Sequence, residues 1–149
     1  MTDTARALLV AALLSGSGFA AYAWRLVRTD AADPQRLIGE LRLSQWAALT
    51  LAVVGGAWLG AATGRPPVAQ AGVDVTIAFA SILFAAWTLQ RDTRQSLLLL
   101  SGAFLTHALL DTAHRPGGLA ADLAPRWFIV GCAAYNVYMA VLCYWAQRR

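Results

Sequence analysis

The stretch LSQWAALTLAVVGGAWLGAA, residues 43–62, decides the fold class because it runs for twenty residues without a charged side chain. A helix needs about 20 predominantly apolar residues to cross a hydrocarbon layer of about 30 Å. The sequence therefore predicts a transmembrane helix here, and similar apolar stretches lie on both sides of it.

Apolar stretches separated by short polar connections occupy most of the chain. The chain is 58% hydrophobic and 13% charged, whereas soluble domains have about 45–50% apolar and about 25% charged residues. We predict one all-α transmembrane domain over residues 1–149, a polytopic integral membrane helix bundle with five transmembrane helices. The predicted spans are residues 5–27, 43–62, 73–89, 95–112 and 127–145.

The first span has an alternative interpretation as a secretory signal. Arg6 precedes an apolar run at 7–14, and Ala21-Tyr22-Ala23 matches a cleavage site. Cleavage would leave four spans and would place the arginine-rich segment 25–42 outside, against the positive-inside rule. The acidic start Met1-Thr2-Asp3 also favours a first helix that is retained.

Two connections carry local structural signals. Asp33-Pro34 predicts the N-cap and first position of a short surface helix that continues through Glu40, ahead of the second span. Arg91-Asp92-Thr93-Arg94 predicts a tight turn. The third and fourth helices should therefore form an antiparallel hairpin and lie side by side.

The arginines predict the orientation. In a five-span topology one side receives eight arginines and the other four, which places the N-terminus outside and the C-terminus in the cytoplasm. Small size and an alanine- and arginine-rich composition favour a bacterial-type inner membrane. The larger set is Arg25, Arg28, Arg36, Arg42, Arg91, Arg94, Arg148 and Arg149, and the smaller is Arg6, Arg65, Arg115 and Arg126.

The fourth helix carries the most distinctive polar pattern, His107, Asp111 and His114, which includes both histidines of the chain. At 100° per residue all three side chains share one face, and ionisable groups inside a membrane suggest function. Two imidazoles and a carboxylate suit a transition metal, although the histidines lie roughly 10.5 Å apart along the axis. The pattern suits catalysis or proton handling equally well. The structural alternative is that Asp111 and His114 cap the helix end at the water interface.

Other polar residues are expected near this face. Asp74 begins the third helix and should reach the same outer level as His114, with Arg115 and Arg126 in the following loop. Tyr135 and Asn136 come from the fifth helix, where Asn136 needs either an interhelical hydrogen bond or a substrate contact. Together these residues predict an outward-facing polar pocket for a substrate or a proton pathway.

Gly56, Gly60 and Gly64 form a small-residue ridge on the second helix, which favours close helix packing. The partner of this ridge is either another helix of the chain or another subunit. Besides the lipid bilayer, the predicted partners are therefore other membrane subunits or copies of this chain. Nucleic acid is not expected, because the arginines lie between apolar segments.

Two functional hypotheses follow. In the first, the chain is a small multi-pass inner-membrane protein that acts as an accessory or binding component of a membrane system. In the second, the His107/Asp111/His114 face belongs to a metal- or proton-handling enzyme or transporter. A single haem with two histidine ligands is disfavoured, because both histidines lie on one face of one helix.

Overall fold

A computed structural model describes residues 3–30, 32–64, 71–116, 118–119 and 123–148. Within these residues all the regular structure is helical, so the predicted all-α bundle is confirmed. The five helices are α1 (Asp3–Val27), α2 (Pro34–Thr63), α3 (Ala71–Thr88), α4 (Thr93–Ala113) and α5 (Arg126–Arg148).

Four of the helices, α1, α2, α4 and α5, are long and apolar enough to cross a membrane, whereas α3 is shorter. The 18 residues of α3 extend for about 27 Å, slightly less than a hydrocarbon core of about 30 Å. Large apolar side chains on the outer surface are exposed, for example Leu14 at 68%, Leu83 at 67% and Val141 at 60%. Lipid is the solvent that such a surface requires.

Helix α2 differs from its prediction at the N-terminus. Asp33 is the N-cap and accepts a hydrogen bond from the Gln35 backbone, and Pro34 begins the helix, as predicted. The helix then continues without a break into the apolar span, so the separate surface helix ending near Glu40 was wrong. No glycine or proline lies between residues 40 and 43 to end the helix. The Arg36–Glu40 ion pair, at 3.1 Å, is buried in the preceding turns, so this part of α2 is not a surface helix.

The packing order of the helices also differs from the predicted hairpin. The tight turn is present, and Asp92 caps α4 by accepting from the Gln95 backbone. However, α3 packs mainly along α2 and α4 along α5, while α3 and α4 contact each other little. The main core joins α1, α2, α4 and α5 through buried side chains such as Phe19, Leu51 and Phe104.

The glycine ridge Gly56/Gly60/Gly64 lies beside the residue of α2 that makes the close contact with α3. A Cβ atom added at Gly56 or Gly60 would meet nothing within 4 Å among the described residues. Gly55 makes the close approach instead, since its Cβ would lie 2.9 Å from the Ala78 carbonyl oxygen of α3. Gly56 and Gly60 thus make no close contact with another described helix, and the packing partner of the Gly56/Gly60/Gly64 ridge stays a prediction.

Candidate functional site

The N-terminal end of α3 and the C-terminal end of α4 meet through a carboxylate and an imidazole. Asp74 lies in the first turn of α3, and His114 caps the end of α4. The His114 Nε2 atom is 2.8 Å from Asp74 Oδ1, and both side chains are almost fully buried, at 4% and 2% exposed. Trp58 of α2 stacks on the His114 ring at 4.5 Å between ring centroids. Three helices thus fix this pair.

The hydrogen bonds of His114 require a proton between the two side chains. The Nδ1 atom is 2.9 Å from the Leu110 carbonyl oxygen, which only accepts, so Nδ1 carries a hydrogen. If Nε2 and Asp74 were both deprotonated, two lone pairs would face each other at 2.8 Å. Either imidazolium donates to aspartate, or an aspartic acid donates to imidazole. In both cases Asp74 and His114 share one proton.

A second group contains His107, Asp111 and Asn136. Asp111 and His107 lie about one and two turns before His114 on α4. Asn136 donates from Nδ2 to Asp111 Oδ2 at 2.9 Å and so joins α5 to α4. The His107 Nδ1 atom lies 3.4 Å from Asp111 Oδ1. This distance is electrostatic contact only, because neither His107 ring nitrogen finds a hydrogen-bond partner in the described parts of the chain.

Comparison with protein-family models, with curated proteins and with solved structures finds no match for this chain. Its function therefore has to be argued from the two groups themselves.

The fourth helix presents His107, Asp111 and His114 on one face, but the structure gives them different neighbours. His107 faces Asp111, whereas His114 turns to Asp74 and Trp58. Within the described ranges, no three His, Cys, Asp or Glu side chains are close enough to hold a metal ion. We therefore derive no chemistry from a metal at these residues.

The structural alternative was that Asp111 and His114 cap the end of α4 at the water interface. Of these two residues, only His114 is a cap. His114 is the C-cap of α4, and its backbone N–H bonds to the Asp111 carbonyl oxygen. Asp111 is 0% exposed, so its side chain is enclosed by the bundle and does not face solvent. A buried carboxylate in an apolar bundle is costly unless it is paired, and Asn136 and His107 supply that pairing.

The remaining residues of the predicted pocket lie elsewhere. The Tyr135 hydroxyl is 2.9 Å from that of Ser15 on α1. Arg115 and Arg126 are exposed at the same end of the bundle as His114. In the part of the chain that the structure describes, neither forms an ion pair with Asp74 or Asp111. The structure thus brings together Asp74 with His114, and His107 with Asp111 and Asn136.

Trp58 was missed by the sequence analysis. Its position inside an apolar span made it look like any large apolar side chain. A five-span topology does place the C-terminal end of α2 at the same end of the bundle as Asp74 and His114, and this signal could have identified Trp58. The contact itself depends on the rotation of α2 about its axis.

Proposed function

We propose that this chain is a small multi-pass inner-membrane protein that acts as a proton-binding accessory component of a membrane system. The supporting observation is the 2.8 Å contact between His114 Nε2 and Asp74 Oδ1, which requires a shared proton. This proposal combines the accessory role with the proton-handling chemistry of the His–Asp face.

The location of the pair supports proton exchange with the outer solution. Asp74 begins α3 and His114 ends α4, so both lie within one turn of the outer helix ends. Asp74 Oδ2 has no hydrogen-bond partner among the described residues. That oxygen is buried and keeps an unused acceptor position, which a proton that reaches the pair could occupy. A buried pair that served packing alone would gain little from an acceptor left open, since an unpaired buried oxygen costs about 1–3 kcal/mol.

The proposed orientation places the N-terminus outside and the C-terminus in the cytoplasm. Arginines stack on aromatic rings at the opposite end of the bundle from His114, which suits the positively charged inner face of a membrane protein. The three pairs are Arg28 with Trp24, Arg91 with Trp87 and Arg148 with Tyr144. A cysteine at Arg115, in a chain lacking Cys132 and Cys143, should react with an impermeant thiol reagent from outside only. Reaction from the cytoplasmic side alone would reverse the orientation.

The proposed partners are the lipid bilayer and either other membrane subunits or copies of this chain. Gly56 and Gly60 support contact with another helix, because among the described residues nothing fills the space beside them.

The proton is tested by ¹⁵N-histidine NMR of the full chain in lipid nanodiscs. The chain has two histidines, so a His107→Gln variant assigns the signals. In the native chain, His114 should keep a hydrogen on Nδ1 and show an Nε2 signal displaced by the shared proton.

The matched variants are Asp74→Asn and Asp111→Asn, which remove one buried carboxylate each from the same region. Asp74→Asn should give the plain acceptor signal at His114, because the amide donates to Nε2 without sharing a proton, and Asp111→Asn should leave His114 unchanged. A His114 signal that is the same in the native chain and in Asp74→Asn would overturn the proposal.

A further inference from the structure

A groove opens on the lipid-facing side of the bundle between α3 and α4. It exists because α3 packs on α2 and α4 packs on α5, which leaves the two helices apart. The groove has a volume of about 550 Å³, within the range of about 300–1,000 Å³ that is typical of small-molecule sites. Its lining is mostly apolar and includes Ile77 and Phe84 of α3, Leu98 and Gly102 of α4, and Leu51 of α2.

His107 is the ionisable residue that borders this groove. Its side chain is only 4% exposed. In the described parts of the chain both of its ring nitrogens lack a hydrogen-bond partner. A buried polar group without a partner costs about 1–3 kcal/mol, and a ligand with a polar atom at this end of the groove would remove that cost.

The depth of His107 restricts the ligand. Helix α4 runs from Thr93 to Ala113, so His107 lies about four residues, or roughly 6 Å, from the middle of the helix. That level is inside a hydrocarbon core about 30 Å thick. Phospholipid head groups remain at the interface and do not reach it. A charged head group would pay a large desolvation cost there.

We propose that the groove binds a prenylquinone, with an oxygen of the quinone head at the His107 ring and the start of the tail along the apolar walls. A quinone head is neutral and enters the hydrocarbon layer. The Nε2 atom of His107 serves both states of such a head, since Nδ1 lies 3.4 Å from Asp111 Oδ1 and a neutral imidazole nitrogen donates to a quinone carbonyl in one tautomer and accepts from a quinol hydroxyl in the other. The volume fits one ring system with a short part of its tail. This site depends on His107 and is independent of the proton held by Asp74 and His114.

Decylubiquinone, a quinone with a short tail, is the probe. It is titrated into the ¹⁵N-histidine-labelled full chain in nanodiscs. Saturable displacement of the His107 ring signals, with the His114 signals unchanged, is the expected result. Displacement of both histidines in proportion to total quinone, without saturation, would indicate partition into the bilayer and would overturn the proposal. Since His114 reports the other group separately, failure here leaves the proton proposal standing.

Two glycine variants locate the site. A Cβ atom at Gly102 or at Gly131 would meet nothing within 4 Å in the described residues, so both positions accept a larger side chain. Gly102 lines the groove, and Gly131 on α5 does not. Gly102→Leu should weaken decylubiquinone binding about tenfold or more, which corresponds to at least about 1.4 kcal/mol, and Gly131→Leu should bind normally. Equal binding by both variants would refute the groove as the site.

A competition experiment separates the quinone from other neutral lipids. Dioleoylglycerol carries ester carbonyls and a hydroxyl but two acyl chains and no ring. Excess dioleoylglycerol should leave the decylubiquinone displacement of His107 unchanged. Full competition at equal concentration would show that the groove accepts neutral lipids in general, and the assignment to a prenylquinone would be wrong.

Discussion

Replacing Asp74 is the strongest test of the contact between α3 and α4. In the native chain the Asp74 carboxylate and the His114 ring are 2.8 Å apart and nearly unexposed. Asp74→Asn keeps the shape of the side chain, and its Nδ2 donates to the Nε2 atom of a neutral imidazole. Asp74→Ala removes the partner altogether. The difference between the two variants therefore measures the hydrogen bond rather than the volume of the side chain alone.

The expected magnitudes follow from the kind of bond that remains. Interhelical hydrogen bonds in membranes contribute about 0.6 kcal/mol on average, with a maximum of about 1.7 kcal/mol. Asp74→Asn exchanges a proton-sharing bond for a neutral one, so it should cost about 1 kcal/mol. Stranding a buried charge costs about 3–5 kcal/mol. His114 escapes part of that cost by losing its proton, so Asp74→Ala should cost about 2 kcal/mol.

The assay is reversible unfolding of the full chain in mixed micelles of increasing dodecyl sulfate content, followed by tryptophan fluorescence. Asp3→Ala is the matched control, because Asp3 also lies in the first turn of its helix but its side chain is fully exposed, at 101%. Both positions feel the same helix dipole, and only Asp74 is buried. If Asp74→Asn and Asp74→Ala lower stability equally, or if Asp74→Ala behaves like the control, the shared-proton contact does not stabilise the bundle.

Two further predictions use neighbouring residues as mutual controls. Gly55→Leu should destabilise the α2–α3 contact by about 1–3 kcal/mol in the same unfolding assay, because even a Cβ there would lie 2.9 Å from the Ala78 carbonyl oxygen. Gly56→Leu should be tolerated, and equal costs at the two positions would contradict the packing described above. Arg36→Met should cost about 3 kcal/mol by leaving Glu40 buried and unpaired. The double variant Arg36→Met/Glu40→Leu should recover most of that loss, and no recovery would show that the pair is not the source.

The helices could be predicted from the sequence because lipid imposes a length and an apolar composition on each span. The caps were predictable for a local reason, since Asp33 and Asp92 each bond a backbone N–H two or three residues away. The rotation of each helix about its own axis could not be predicted, and this rotation determines which residues face a neighbouring helix. In α2 nearly every side chain is apolar, so nothing in the pattern distinguishes Gly55, which touches α3, from Gly56, which does not.

The candidate site was partly predictable for the opposite reason. His107, Asp111 and His114 are polar residues in an apolar helix, so their spacing fixes a common face. The split of that face into two groups was not predictable, because it depends on α2 bringing Trp58 to His114 and on α5 bringing Asn136 to Asp111. Partners from other helices are set by tertiary packing, which the local spacing does not contain.

The two histidines show why one helix face serves two purposes. His114 is satisfied on every side: Nδ1 bonds a carbonyl, Nε2 bonds Asp74, and the ring stacks on Trp58. Such a ring is held in one orientation, which suits a group that stores a proton at a fixed place. His107 lies two turns away with both nitrogens unpaired among the described residues and borders the open groove between α3 and α4. Its Nδ1 atom has the Asp111 carboxylate at 3.4 Å, so Nε2 is the nitrogen whose hydrogen-bonding capacity the proposed ligand of the groove would use.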